Sequence, residues 1–144
     1  MKQTTESPKK PAGWAPSGHM ALLDAVGVYW DAVRVPFHLG LPVVSALGDS
    51  CGSVISDPYG SRVYWLIPPR ADIDWGSLPA TALVRHLGET SWVLVPSLGR
   101  VTGPGAHWVV PYRDGGYLTD ASLLHAALSD VIAAMLGPRE GEQR

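Results

Sequence analysis

The sequence predicts an α+β domain: a largely antiparallel sheet built from two β-hairpins, with helices packed on one face. Three observations lead there. Residues 52–57 and 61–67 are rich in β-branched and aromatic side chains and flank Pro58-Tyr59-Gly60, the pattern of a hairpin. Residues 91–96 and 106–112 repeat the pattern around a loop containing glycine and proline. Leu123, Leu124, Ala127, Leu128, Val131, Ile132, Met135 and Leu136 then recur at helical spacing and stop at Gly137-Pro138.

In chain order, residues 1–16 carry Pro8, Pro11 and Pro16 among polar residues and read as a flexible tail. Ser17 can cap a short helix through Leu22, Leu23 and Val26 that stops at Gly27. The β-branched content of residues 28–36 favours a strand, which Pro36 ends. Leu39, Val43, Val44 and Leu47 share one side of a helix over residues 37–47, closed by Gly48-Asp49. Pro42 either interrupts that helix or sits in the first turn of one starting near Leu41. The first hairpin follows and ends at Pro68-Pro69, and residues 70–79 form a loop. Over residues 81–87, Ala82, Val84 and His86 alternate with Leu83, Arg85 and Leu87, which reads as a strand. After the second hairpin, Asp114-Gly115-Gly116 is a turn. Thr119 is a suitable N-cap for the last helix, with Asp120 in its first turn. Residues 138–144 are a polar tail, so a single domain spans residues 17–137.

Composition bounds the function. At 144 residues and 46% hydrophobic, the chain can bury one core without staples. A formal net charge of −2 gives no global field to capture nucleic acid, so such binding would need a local basic patch. All lysines lie in the first ten residues, and beyond them every cationic side chain is arginine; codon bias of a GC-rich genome is the preferred explanation, and phosphate recognition by arginine's planar fork is the functional alternative. Cys51 is the only cysteine, so no internal disulfide forms and nothing implies an oxidising compartment. No apolar run has the length of a membrane span and no signal-peptide pattern follows the N-terminal lysines, so no membrane association and a cytoplasmic location are expected.

Chemistry-bearing residues are sparse. Asp72-Ile73-Asp74 would point two carboxylates the same way from an extended segment, as a magnesium site needs, but short Asp-x-Asp matches are common and a polar loop after two prolines is the preferred reading, so no cofactor is expected and magnesium is the lesser alternative. His19, His38, His86, His107 and His125 show no metal-ligand spacing. Cys51 reads as a buried, inert thiol, and Ser45, Ser50 and Ser53 lie in no nucleophile-elbow context. Residues 99–105 are glycine-rich but lack the Lys-Ser/Thr of a phosphate-binding loop. Arg34, Arg62, Arg70, Arg85, Arg100 and Arg113 fall in or beside strands. If Arg34, Arg62, Arg70 and Arg100 shared a face with Trp65, Trp92 and Trp108, they would form an aromatic and guanidinium surface for single strands or nucleotides.

The segment Asp57-Pro58-Tyr59-Gly60-Ser61-Arg62-Val63-Tyr64-Trp65-Leu66-Ile67-Pro68-Pro69, followed by Thr90-Ser91-Trp92-Val93-Leu94-Val95-Pro96-Ser97 and Gly103-Pro104-Gly105-Ala106-His107-Trp108, resembles the N-terminal domain of bifunctional DNA primase-polymerases. Residues 30–36 would sit where that family has its first metal-binding strand. The resemblance spans roughly residues 20–128 and extends to small actinobacterial proteins of that type. The family's acidic pair is not met, since Asp31 is followed by Arg34, and Arg62 stands near the place of its motif histidine. Two-metal phosphoryl transfer needs clustered carboxylates. The resemblance therefore implies the fold and a nucleotide or nucleic-acid surface without polymerase activity.

The expected function is a non-catalytic, regulatory domain that binds DNA, RNA or a nucleotide. The alternatives are a protein-interaction domain that pairs with a protein partner or a second copy of itself, favoured by six tryptophans and few charges, and a metal-dependent nucleotidyl-transfer enzyme.

Overall fold

A computed structural model describes residues 21–113 and 115–136. Strands β1 (Ala21–Ala25) and β2 (Asp31–Pro36) lead directly into helix α1 (Phe37–Leu47). Strands β3 (Val54–Asp57), β4 (Arg62–Ile67), β5 (Arg85–Leu87), β6 (Trp92–Pro96) and β7 (His107–Val110) follow, and helix α2 (Ala121–Leu136) closes the described chain. The main sheet runs β5-β2-β4-β3-β7, with every neighbouring pair antiparallel. Strands β1 and β6 form a separate two-stranded antiparallel ribbon. The predicted α+β class with an antiparallel sheet is what the chain adopts.

The alternation of each strand builds two apolar faces. Val33 and Val35 of β2, with Val63, Trp65 and Ile67 of β4, lie under Leu39 and Val43 of α1 and Leu124, Leu128 and Ile132 of α2. Both helices cover this one face. Ala32, Leu66, Ile55 and Trp108 face the other way, where Val93 and Val95 of β6 cover them together with Trp30 and Tyr117. Helix α1 approaches the sheet closely because Gly40 has no side chain: a Cβ there would lie 2.3 Å from Val63 Cγ2. Pro42 sits inside α1 rather than at its start. It removes the N–H that would reach the His38 carbonyl; His38 is exposed, and water can serve that carbonyl.

The first hairpin pairs as expected, Val54 opposite Trp65 and Asp57 opposite Arg62. The second does not form. Strand β6 pairs with β1, Leu23 opposite Leu94, while β7 pairs with β3, Ile55 opposite Trp108. The physical reason is amphipathicity: Val93 and Val95 on β6 are needed to cover the second face of the sheet, so β6 leaves its sequence neighbour. For the same reason residues 21–25 are a strand, not the expected helix, because β6 needs an antiparallel partner. Ser17, the tail at residues 1–16 and the tail at residues 138–144 lie outside the described residues. Of the expected strand at residues 81–87 only β5 forms, because Ala80–Ala82 is a 3-10 turn and Leu83 takes a left-handed conformation at φ 60°. The cap of α2 is Asp120, not Thr119: Asp120 Oδ1 accepts from the amides of Ser122 (2.8 Å) and Leu123 (3.1 Å). Thr119 is fully buried, and its Oγ1 accepts from the Gly52 amide at 2.8 Å, tying the approach to α2 to the segment that leads into β3.

Candidate functional site

Strands β2, β4 and β5 place three arginines at one end of the sheet. Arg34 lies opposite Arg85 in the β2–β5 ladder, and Arg62 lies opposite Pro36 in the β2–β4 ladder. By the period of two these side chains share the face of Ala32 and Leu66, but Arg62 and Arg85 are exposed and Arg34 half-buried. Together with Gly60, Ser61 and the Ala80, Leu83 and Val84 segment they line a basin of about 490 Å³.

No acid lines the basin, and none of its three arginines makes an ion pair or side-chain hydrogen bond among the described residues. Asp57, opposite Arg62, instead accepts the Gly60 amide at 3.3 Å. Like charges set directly opposite across a ladder destabilise it. Arg34 and Arg85 are such a pair, and an anion between them would relieve the repulsion. The start of α1 adds to the same field. Its cap is Pro36, a basin residue with no side chain that can cap, and its first turn carries no acid to offset the positive end of the helix dipole.

Ser61 stands at the rim in a left-handed conformation, φ 56°. Its carbonyl accepts the Phe37 amide at 2.9 Å, which fixes the β3–β4 turn to the first residue of α1.

The remaining arginines proposed from the sequence do not join this group. Arg70 is spent on structure: its Nη1 donates to the Gly27 carbonyl at 2.9 Å, and its backbone amide donates to Asp31 Oδ2 at 3.0 Å. Arg100 donates within its own loop to the Pro104 carbonyl. Trp65 and Trp108 are 0% and 1% exposed, so neither ring is available to stack a base; the strand period that was to present them places them in the core instead. Trp92 is exposed, on the outward side of the ribbon opposite Ala25. Arg85 was legible only as one strand arginine among several, since its place beside Arg34 depends on β5 pairing with β2.

A second polar group lies at the other end of β2. Asp31 is 2% exposed and its Oδ2 also takes a hydrogen bond from His86 Nε2 at 2.9 Å. The His86 ring stacks on Trp75, whose other neighbour is His125, edge-on with centroids 5.5 Å apart. His125 Nε2 lies 3.0 Å from Ser77 Oγ, which donates to the Asp74 carbonyl at 2.9 Å, so the imidazole is the donor to Ser77. With its proton committed to a carbonyl, Ser77 is not set up as a nucleophile. Asp72 and Asp74 are both exposed. Among the described residues no three His, Cys, Asp or Glu side chains are grouped to hold a metal. Cys51 is buried, and burial pushes its thiol pKa up against the opposing pull of the Trp65 indole and the Arg113 charge, which keeps it protonated and unreactive.

No helix among the described residues is long and apolar enough to cross a membrane. No family model matches the chain, and neither a curated protein nor a solved structure is significantly similar to it.

Proposed function

We propose that the chain is a non-catalytic, regulatory domain that binds nucleic acid or a nucleotide by its phosphates, a degenerate relative of the primase-polymerase module that its strands resemble. One observation carries this reading: Arg34, Arg62 and Arg85 line a single concavity without a carboxylate partner among the described residues. Guanidinium groups in that state are matched to phosphate in charge and in the geometry of their donors. Residues 30–36 would sit where the resembled family has its first metal-binding strand, and Arg34 of this chain lies on that segment, with Arg62 near the place of the family's motif histidine.

Fluorescence polarisation with a labelled single-stranded DNA, an RNA of the same sequence and labelled nucleotides tests the reading. Binding at low salt is expected, and for a strand that engages two or three phosphates log affinity should fall against log salt with a slope of about −2. The double variant Arg34→Ala/Arg62→Ala should lose at least about ten-fold in affinity. No binding of any of these probes to the wild type at low salt would remove the proposal.

A second reading, self-association, is favoured by the outer side of the ribbon. Leu23 (61% exposed) faces Leu94 (41%), with Trp92 (61%) one step along.

A further inference from the structure

We infer that an apolar cleft beside α1 binds a neutral aromatic molecule carrying one hydroxyl, a phenol, with its ring against Phe37 and its hydroxyl held between Ser56 and His107. The arginine basin and whatever binds there play no part in this.

The cleft has a volume of about 510 Å³, within the range of small-molecule sites. Strand register places it on the helix-covered face of the sheet. Ser56 shares a face with Val54, which belongs to the core under the helices, while Ile55 between them belongs to the ribbon side. Helix α1 reaches the cleft through Phe37 and Leu41, Val101 joins from the loop between β6 and β7, and no described residue of α2 lines it. The cleft is therefore the corner of that face that α2 leaves uncovered.

The clearest sign of a ligand is Ser56. It is 2% exposed, and its hydroxyl has no hydrogen-bond partner among the described residues. Val63 stands opposite it on β4, and Val54 precedes it on the same face. A buried hydroxyl without a partner costs stability that another valine here would not. The oxygen is not sealed in the way that Asp31 Oδ1 is, so what little of Ser56 is exposed opens on the cleft.

His107 lies opposite Ser56 in the β3–β7 ladder and lines the same cleft. Side chains so paired have Cβ atoms about 5 Å apart, so one head group can touch both. His107 Nδ1 is 2.9 Å from the Gly105 carbonyl, which can only accept. Nδ1 therefore carries the proton, and Nε2 of the neutral ring is an acceptor with no partner among the described residues.

These two groups and the walls define the class of ligand. Nε2 needs a donor, and Ser56 can donate to the atom that carries it. A hydroxyl answers both: its O–H donates to Nε2 and its oxygen accepts from Ser56. A carboxylate has no proton to give Nε2. No Lys, Arg, Asp or Glu among the described residues lines the cleft, so an ion there would lose its water without gaining a counter-charge. The walls are Phe37, Leu41, Val101 and Val109, and an aromatic body packs on the Phe37 ring.

NMR titration of the full ¹⁵N-labelled chain with 4-propylphenol, 4-propylanisole and 4-propylbenzoate tests the inference. The ether keeps the ring and the oxygen but has no proton to donate, and the benzoate is an anion. The phenol should shift the amides of Ser56, Val101 and His107, and bind about ten-fold or more tightly than either analogue, the scale of a hydrogen bond the analogue cannot make. Ser56→Ala removes no hydrogen bond among the described residues, so it should fold and weaken the phenol about five-fold or more. His107→Phe should do the same, and it decides the matter if Ser56→Ala does not fold. Phe37→Ser, at an exposed position, should weaken phenol and ether alike. The inference is overturned if the phenol causes no saturable shifts, or if its shifts centre on Trp92 and the ribbon. It is also overturned if the ether or the benzoate binds as tightly as the phenol, or if a folded Ser56→Ala binds the phenol as wild type does.

Discussion

Asp31 joins three segments with one carboxylate. It sits at the start of β2, accepts the Arg70 amide after β4 and holds the His86 ring on β5. Its other oxygen, Oδ1, is buried with no partner among the described residues. A buried carboxylate in that state is stable only while its remaining hydrogen bonds hold. Asp31→Ala would leave an amide and an imidazole without their acceptor, and we expect a cost of roughly 2–4 kcal/mol in urea denaturation. Asp31→Asn keeps one acceptor oxygen and should cost less. An alanine variant within about 0.5 kcal/mol of wild type would show that neither hydrogen bond contributes to stability. In the sequence Asp31 and Arg70 carried no such signal. They are 39 positions apart, and Arg70 read as a ligand for phosphate because nothing local announces a guanidinium that will fold back onto Gly27.

Helix α2 buries Leu124, Leu128 and Ile132, and leaves Leu123 and Met135 about half exposed. Its buried stripe meets Val54 and Trp65 of the sheet within one core together with α1. Leu128→Ala empties a fully buried site and should cost roughly 2–5 kcal/mol, read as a lowered urea midpoint with an unchanged slope. A cost near zero would place α2 outside the core. Elements whose signal is local were legible: α1 at its observed bounds, the β3–β4 hairpin with its turn, and the periodicity of α2. The failures are elements whose identity depends on a distant partner. Residues 21–25 carry Leu22 and Leu23 at positions that suit a helix or a strand, and only β6 decides between them. Residues 91–96 and 106–112 each read correctly as extended, yet their mutual pairing was wrong, because strand content is local and strand pairing is not.

The whole molecule covers both faces of a five-stranded sheet, helices on one and a two-stranded ribbon on the other. That arrangement leaves the arginine end of the second face open and turns the outer side of the ribbon, with Leu23, Trp92 and Leu94, toward solvent. If that side joins a second copy, the melting temperature should fall across a hundred-fold dilution, by mass action, and Trp92→Ser should abolish the dependence. A melting temperature independent of dilution, with light scattering at the monomer mass, would leave the self-association reading without support. The candidate site was legible in its residue type and only half in its membership: Arg34 and Arg62 join in the basin, Arg70 and Arg100 do not, and Arg85 replaces them. Register across three strands makes that selection, and no spacing along the chain encodes it.

The ribbon also sets the order in which the protein can be made. Ala21 must meet Pro96, across a loop of most of the described chain, before Val93 and Val95 can close over Leu66 and Ile55. Hairpin β3–β4 and the turn from β2 into α1 need only near neighbours and bring few residues together at little entropic cost. On loop length alone the joining of the first strand to the sixth is expected to come late, and a chain halted before it would present one face of its sheet to any other molecule that can pair with it.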